Sequence, residues 1–186
     1  WLTFKRSGSR LQAIVEGCSY CEEVQCDGSI GFGGSPDEKG RVTLDAILID
    51  GPKHKIGGVA QLSKIKSAIQ VAWAVMNFTK HTLIVGDQAD NFAVEMGFEE
   101  SKLETVASEK IYRKWQSVNC QPNFRQNVIP DPEKQCGPYT PSVVQLNGQS
   151  STLNSGHDTV GMLIVDENGD LSAGTSTNGA SHKIPG

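Results

Sequence analysis

The sequence predicts an α+β fold in which stacked β-sheets are covered by helices. Residues Thr43–Asp50 form a candidate strand whose second half is apolar on both faces, which favours cover on both sides of a sheet. Amphipathic stretches with helical spacing lie between such apolar runs, as in folds where helices pack on sheets. The 186 residues are enough for one domain with a substantial core.

The first predicted element is a short helix. Residues Arg10–Glu16 have the pattern of the last turns of a helix, and Gly17 is placed to end it. The stretch Cys18–Cys26 then reads as a tight polar loop. The glycine-dense stretch Gly28–Glu38 reads as a turn region, because the Lys and Ser or Thr of a phosphate-binding loop are missing after its glycines. The sequence therefore gives no indication of a cofactor.

The next part of the chain alternates between strands and helices. Residues Ile56–Ala60 lead into a helix that is predicted over Gln61–Phe78. Its apolar positions make one stripe that we expect to face the core: Leu62, Ile65, Ile69, Ala72, Trp73 and Met76. Residues Thr82–Val85 are predicted to form a short buried strand.

Two more helices are predicted before the composition changes. Asp87 is placed to cap a helix that runs to Met96, and Leu103–Trp115 has an amphipathic pattern. Five of the eight prolines then lie within Pro122–Pro141, and the residues that follow are polar and without periodicity. This composition predicts a long irregular arm that leads into a mobile tether over residues 142–158.

Charge and hydropathy exclude two classes of partner. The formal net charge is -4, and the longest basic cluster is Lys53–Lys55, so we expect no nucleic-acid partner. No apolar run approaches the length that spans a bilayer, so we expect no membrane segment. The chain begins at Trp1 without an initiator Met or a leader, which favours a processed or partial chain.

The five cysteines favour disulfides over a metal site. Cys18-x-x-Cys21 has no second such pair and no His at ligand spacing, so we expect no metal. The odd number leaves one free thiol, which is commonly a buried apolar group. Asn77-Phe78-Thr79 is a glycosylation sequon, although such triplets also arise by chance. Together these features favour an oxidising lumen.

A hairpin is predicted near the end of the chain. Apolar residues Val160–Val165 and the stretch Leu171–Gly179 flank Asp166–Asp170, in which Asn-Gly is a strong turn signal. A three-residue loop places Thr159 directly opposite Thr177 on one face of the sheet. A two-residue loop places Thr159 opposite Asn178 instead and turns Thr177 to the other face. We predict the three-residue loop.

Thr159 is a candidate nucleophile at the first position of its strand. A threonine hydroxyl needs an adjacent base, and the α-amine of Thr159 is such a base only if the chain is cut before it. The structural alternative is that threonine simply begins a strand here and that Gly156–Asp158 form a turn. If Thr159 is the nucleophile, the hydroxyl of Thr177 can hold it in place or stabilise charge on the atom that it attacks.

Several stretches of the chain resemble one family. The residues Gly156–Met162 together with Ala173–Gly179 resemble the nucleophile hairpin of the glycosylasparaginase family, N-terminal-nucleophile amidohydrolases that are also called aspartylglucosaminidases. Residues Cys26–Glu38, Asn119–Asn123 and Asn127–Pro132 are similar to the same family. The resemblance extends from about Val15 to Ile184.

The resemblance implies a fold and a division of the chain. The expected architecture is part of a four-layer α-β-β-α sandwich in a single incomplete domain over residues 1–186. Residues 1–158 correspond to an α-chain that ends in the tether, and residues 159–186 to the start of a β-chain. Two such α-chains and two β-chains would form a heterotetramer. The family pattern continues beyond both ends, so we expect a truncated chain.

The resemblance also implies an activity. Thr159 corresponds to the nucleophile and Thr177 to its supporting threonine, and self-cleavage would occur between Asp158 and Thr159. The Asp158 carboxylate would act as local base or strain the turn, and His157 is less suited as proton carrier. The expected substrate is the amide bond between N-acetylglucosamine and asparagine in degraded glycoproteins, in the lysosome or secretory pathway. Alternatives are an asparaginase, an isoaspartyl peptidase, or a non-catalytic fragment.

Other family features bear on binding and on the cysteines. The resemblance implies disulfides Cys21–Cys26 and Cys120–Cys136, which leaves Cys18 unpaired. The family segment Arg-x-Gly-Asp-Ser-Pro, which binds the substrate's α-carboxylate and α-amine, has no match in this sequence, so the substrate-binding residues stay unknown. The family's aromatic binding pair corresponds only loosely to Trp1 and Phe4, because the spacing differs by one residue.

Overall fold

The computed structural model describes residues 1–28, 30–142 and 159–186. Within these ranges the helices are α1 (Leu2–Ser7), α2 (Arg10–Val24), α3 (Ala68–Phe78), α4 (Asp87–Glu95) and α5 (Val106–Ser117). The strands are β1 (Leu44–Asp50), β2 (Lys55–Leu62), β3 (Leu83–Val85), β4 (Val128–Ile129), β5 (Thr140–Pro141), β6 (Thr159–Val165) and β7 (Leu171–Thr177). The mixture of helices and strands agrees with the predicted α+β class.

The main sheet of the described chain is mixed and has the strand order β3-β2-β1-β7-β6. The β1–β2, β1–β7 and β6–β7 pairs are antiparallel, and β2 and β3 are parallel. β1 and β7 pair from Asp45↔Thr177 to Asp50↔Ser172, so the late hairpin extends a sheet that begins early in the chain. The small β4–β5 pair forms a separate two-stranded sheet.

The helices α2 and α3 cover one face of this sheet. Alternate residues of β1 point into the core, and Leu44, Ala46 and Leu48 are buried there. The intervening position Ile47 is 39% exposed, and Leu163 on β6 is 62% exposed. The prediction that both faces of β1 are covered is therefore wrong for the described residues, because helices pack on one face and the opposite face is open.

Helix α2 is longer than predicted. It continues through Gly17 and into the expected loop Cys18–Cys26, and ends at Val24 before Gln25, whose φ is 52°. Gly17 was expected to end the helix, but it lies in the interior of the helix against β6. A Cβ at this position would lie 2.6 Å from Met162 Sδ, so the glycine permits close packing of α2 on the sheet.

The second predicted helix begins later than expected. Strand β2 extends to Leu62, and α3 starts only at Ala68. Gln61 lies in the strand with φ 57°, which is not a helical conformation. Leu62 and Ile65, which were assigned to the helix, are nevertheless buried in the core. Trp73 is 37% exposed at the edge of the predicted stripe.

The burial of β3 and the first residues of α4 and α5 also differ from the predictions. β3 was expected to be buried, yet Leu83 is 56% exposed because β3 is the edge strand and pairs only with β2 among the described strands. Helix α4 has Gly86 at its N-cap, and Asp87 is its first residue instead. Helix α5 begins at Val106, where Thr105 and Ser108 form a capping box.

The structure joins Cys21 to Cys26 and Cys120 to Cys136, the two pairs that the resemblance implied. Cys18 is a buried free cysteine. Burial and the neighbouring Glu22 raise the pKa of the Cys18 thiol to about 12, so this thiol remains protonated at neutral pH.

The remaining predictions concern the glycine-dense stretch, the sequon and the tether. The glycine-dense stretch forms turns and bends in its described residues, as predicted. Asn77 lies near the end of α3 and is exposed, and its glycosylation remains a prediction. The tether predicted over 142–158 lies outside the described residues apart from residue 142.

Within the described ranges, every helix is too short or too polar to cross a bilayer. In the same part of the chain, no three His, Cys, Asp or Glu side chains are grouped so as to hold a metal ion.

Two neighbouring glycines of β2 provide a test of helix packing on the sheet. A Cβ on Gly57 would lie 2.3 Å from the Ala72 carbonyl oxygen, whereas a Cβ on Gly58 would lie 3.2 Å from the exposed Leu83 side chain. We expect Gly57→Ala to lower the free energy of unfolding by about 1 to 3 kcal/mol through overpacking. Gly58→Ala should stay within about 1 kcal/mol of wild type. Urea unfolding curves of both variants measure the difference, and equal losses would contradict the close approach of α3.

Candidate active site

The register of the late hairpin is the one predicted for a three-residue loop. Thr159 pairs with Thr177, and the pairing continues to Val165↔Leu171. In the turn, the Asp166 N–H donates to the Asp170 carbonyl at 3.1 Å, and Gly169 has φ 81°. The alternative register, with Thr159 opposite Asn178, is wrong.

An arginine on α2 holds this turn in place. The Arg10 guanidinium forms an ion pair with Asp166 and lies 3.6 Å from the Asp170 carboxylate. Its Nε donates to Ser172 Oγ at 3.2 Å. Local sequence patterns do not indicate this contact, because Arg10 and Asp166 are separated by 156 residues.

The two threonine hydroxyls meet where the hairpin strands end. Thr159 Oγ1 donates to Thr177 Oγ1 at 3.1 Å. The Gly179 N–H donates to the same Thr177 oxygen at 2.9 Å. The backbone after β7 thus orients the Thr177 hydroxyl, and that hydroxyl orients Thr159. Thr159 is exposed, so its oxygen is accessible from the open face of the sheet.

Charged groups surround the turn that follows Thr177. Lys183 Nζ donates to the carbonyl of Asn178. Burial lowers the pKa of Lys183, while Asp45 and Asp37 oppose that effect. Asp45 is the β1 residue that pairs with Thr177, and its Oδ1 accepts from the Gln61 N–H at 2.8 Å. These contacts tie the Lys183 ammonium group to the backbone of the residue that follows Thr177.

A buried carboxyl lies on the opposite side of β7. Glu22 is 3% exposed, and its Oε1 accepts from Ser176 Oγ at 2.5 Å and from the Ile69 N–H at 2.9 Å. Burial raises the pKa of Glu22 to about 7, although both hydrogen bonds act to lower it. Sequence reasoning missed Glu22 because it assigned the residue to a polar loop. An acidic residue within a continuous amphipathic helix would have been the signal.

Some predicted site residues are not brought into this arrangement. Asp158 and His157 lie outside the described residues. Phe4 lies on α1, which packs on α2, and Trp1 is its N-cap and is 75% exposed. Their rings lie 6.0 Å apart.

The whole chain matches one family. A family model described as asparaginase, Asparaginase_2, matches residues 1–186. The chain belongs to the Asparaginase_2 family. This is a family of N-terminal-nucleophile hydrolases.

Several proteins with similar sequences are named for the same activity. A mouse (Mus musculus) protein named N(4)-(beta-N-acetylglucosaminyl)-L-asparaginase is 49% identical over 191 residues, which cover 100% of this chain and 55% of the mouse protein. The rat (Rattus norvegicus) protein of that name is also 49% identical, with 100% and 55% covered. A Drosophila melanogaster protein named as putative for the same activity is 47% identical, with 100% and 50% covered. The chain spans about half the length of these relatives.

Thr177 provides a test of the hydroxyl pair. Thr177→Val removes the oxygen that accepts from Thr159 and Gly179, so we expect a loss of about 1 kcal/mol in unfolding free energy. Thr175→Val is the matched control, because Thr175 lies two residues away on the same face of β7 and valine suits a strand equally well. Chemical unfolding of both variants gives the comparison. If the control loses as much stability, the hydroxyl pair contributes nothing specific.

Proposed function

We propose that this chain is the nucleophile-bearing part of an amidohydrolase that cleaves the bond between N-acetylglucosamine and asparagine. The observation that carries the proposal is the 3.1 Å hydrogen bond from Thr159 Oγ1 to Thr177 Oγ1 at the open end of the hairpin. Membership of the Asparaginase_2 family and the names of the mouse and rat relatives support the same activity.

The first proposed step is self-cleavage between Asp158 and Thr159. The Thr159 oxygen attacks the Asp158 carbonyl carbon, and the acyl group moves from the Thr159 nitrogen to the oxygen. The nitrogen takes up the proton and becomes an amine. Water then hydrolyses the ester. This restores the Thr159 hydroxyl and releases a chain that ends at the α-carboxylate of Asp158. The bond to Thr177 supports this step, because it aims the hydroxyl hydrogen at Thr177 and leaves lone pairs of Thr159 for the attack.

The second proposed step uses the new amine as the base. The Thr159 α-amine accepts the hydroxyl proton while Oγ1 attacks the carboxamide of the substrate. The amine of the glucosaminyl group leaves with a proton, and an ester joins the aspartyl group to Thr159. Water hydrolyses this ester and releases aspartate. Thr177, held by the Gly179 N–H, is suited to stabilise charge on the reacting oxygen.

We propose further that the chain forms part of a four-layer sandwich. The open face of the main sheet supports this, because it exposes apolar side chains that a second layer would cover: Ile47, Leu163, Val165 and Leu171. Residues 1–158 would then be the α-chain and residue 159 the start of the β-chain. Assembly of two of each into a heterotetramer belongs to the same proposal.

A lysosomal or secretory location is proposed with the activity. The two disulfides support an oxidising route of folding. Glycoprotein fragments are degraded in that pathway, so the proposed substrate and the proposed location are consistent.

Self-cleavage can be read directly from the mass of the protein. We expect the purified full-length protein to separate into two chains with a break before Thr159. Thr159→Ala should stay intact, because the attacking oxygen is absent. Thr159→Ser is the matched control, since it keeps a hydroxyl and should still cleave. Intact-mass measurements during incubation give the rate. A wild-type protein that stays whole would overturn the proposed activation.

The substrate class needs a separate assay with the cleaved protein. We expect release of aspartate from N-acetylglucosaminyl-asparagine to exceed release from free asparagine and from an isoaspartyl dipeptide. Faster turnover of either of the latter would assign the protein to the alternative activities. No turnover of the three, after cleavage has occurred, would favour a non-catalytic role.

A further inference from the structure

Glu22 occupies the junction of three elements on the side of β7 that faces away from the threonines. It belongs to α2, and its Oε1 accepts from Ser176 on β7 and from the Ile69 N–H in the first turn of α3. Ser176 is 1% exposed, so both partners of this bond are removed from water. A buried bond of this kind is costly to break, because each donor would be left without an acceptor.

Ser176 is the residue through which this carboxyl reaches the hairpin. It immediately precedes Thr177, and successive residues of a strand point to opposite faces. Ser176 also pairs with Val160 on β6, the residue that follows Thr159. The Glu22 carboxyl therefore restrains β7 directly behind the point where the two threonine hydroxyls meet.

We infer that Glu22 is a positioning residue for the Thr159–Thr177 pair, acting through Ser176. This inference rests on the proposed function, in which Thr159 is the nucleophile. Oε1 accepts both hydrogen bonds, and Oε2 has no hydrogen-bond partner in the described part of the chain. The requirement is thus for one acceptor oxygen at this point, which glutamine also offers and alanine does not.

The main test compares the rate of self-cleavage in three single variants and one double variant of the full-length protein. Glu22→Ala should slow cleavage about 10- to 100-fold, because small displacements of reacting groups have effects of that size. Glu22→Gln keeps the acceptor oxygen and should stay within about threefold of wild type. Ser176→Ala should slow cleavage to a similar degree as Glu22→Ala. Because the two act through one bond, the double variant should be no slower than Glu22→Ala alone.

Asp90 provides the matched control for loss of a buried carboxyl. It is 1% exposed and accepts from the Ser63 hydroxyl at 2.7 Å and from the N–H groups of Ser63 and Lys64. It lies on α4, which contacts β2 and β3. Asp90→Ala should destabilise the fold without a comparable change in the rate of cleavage. Equal slowing in Asp90→Ala and Glu22→Ala would reduce Glu22 to a stabilising residue and overturn the inference.

The pH dependence provides a readout that loss of packing would not change. Burial raises the pKa of Glu22 to about 7, and an ionised carboxylate accepts stronger hydrogen bonds. Cleavage should therefore rise through about pH 7 in wild type more than in Glu22→Gln. Among the described residues, the other titratable groups near this carboxyl are Cys18 and Glu23 on α2 and Lys66 before α3. These groups and His157 are present in both proteins, so the ratio of the two rates isolates Glu22.

A crystal structure separates failure of this inference from failure of the proposed function. We expect the distance between the Oγ1 atoms of Thr159 and Thr177 to exceed hydrogen-bond range in Glu22→Ala and to stay within it in Asp90→Ala. This result would support positioning by Glu22 even if the wild-type protein did not cleave. An unchanged distance in Glu22→Ala, or an unchanged rate where wild type does cleave, would overturn it.

Discussion

The pairing of β6 with β7 is the constraint on which the candidate site depends. Successive residues of a strand face opposite sides, so a shift of one residue would turn Thr177 away from Thr159. The register is fixed at the turn, where Arg10 on α2 binds the two aspartates. It is fixed again by β1, which pairs with β7 along its length. The hydroxyl pair therefore depends on the length of the turn and on the pairing of β7 within the sheet.

Packing on the helical face fixes where that sheet can lie. Gly17 allows α2 to approach Met162, and Gly57 allows β2 to approach the backbone of α3. Small residues at these points bring helices close enough for polar side chains to reach the strands. Glu22 contacts Ser176 because of this approach. The helical layer thus contributes both the apolar core and the Glu22 carboxyl that binds Ser176 behind the hairpin.

The two faces of the sheet have different chemical characters. The helical face is closed and holds a carboxyl whose pKa is raised by burial. The other face is open and carries exposed apolar residues beside the two threonines. The proposed nucleophile has to be accessible to a substrate, whereas the groups that would hold it are best kept from water, since buried hydrogen bonds compete less with solvent. The division of roles between faces follows from strand alternation.

The sequence by itself determined the α+β class, the strands β1, β3, β6 and β7, and the meeting of Thr159 with Thr177. These features depend on local periodicity and on the length of one turn, and both can be read over a few residues. Only the tertiary structure decided that α2 continues through Gly17, that β3 is an exposed edge, and that Glu22 supports β7. These features depend on contacts between distant segments, such as the 154 residues that separate Glu22 from Ser176. Local patterns do not carry information about such contacts, because the burial that overrides them exists only once the chain has folded.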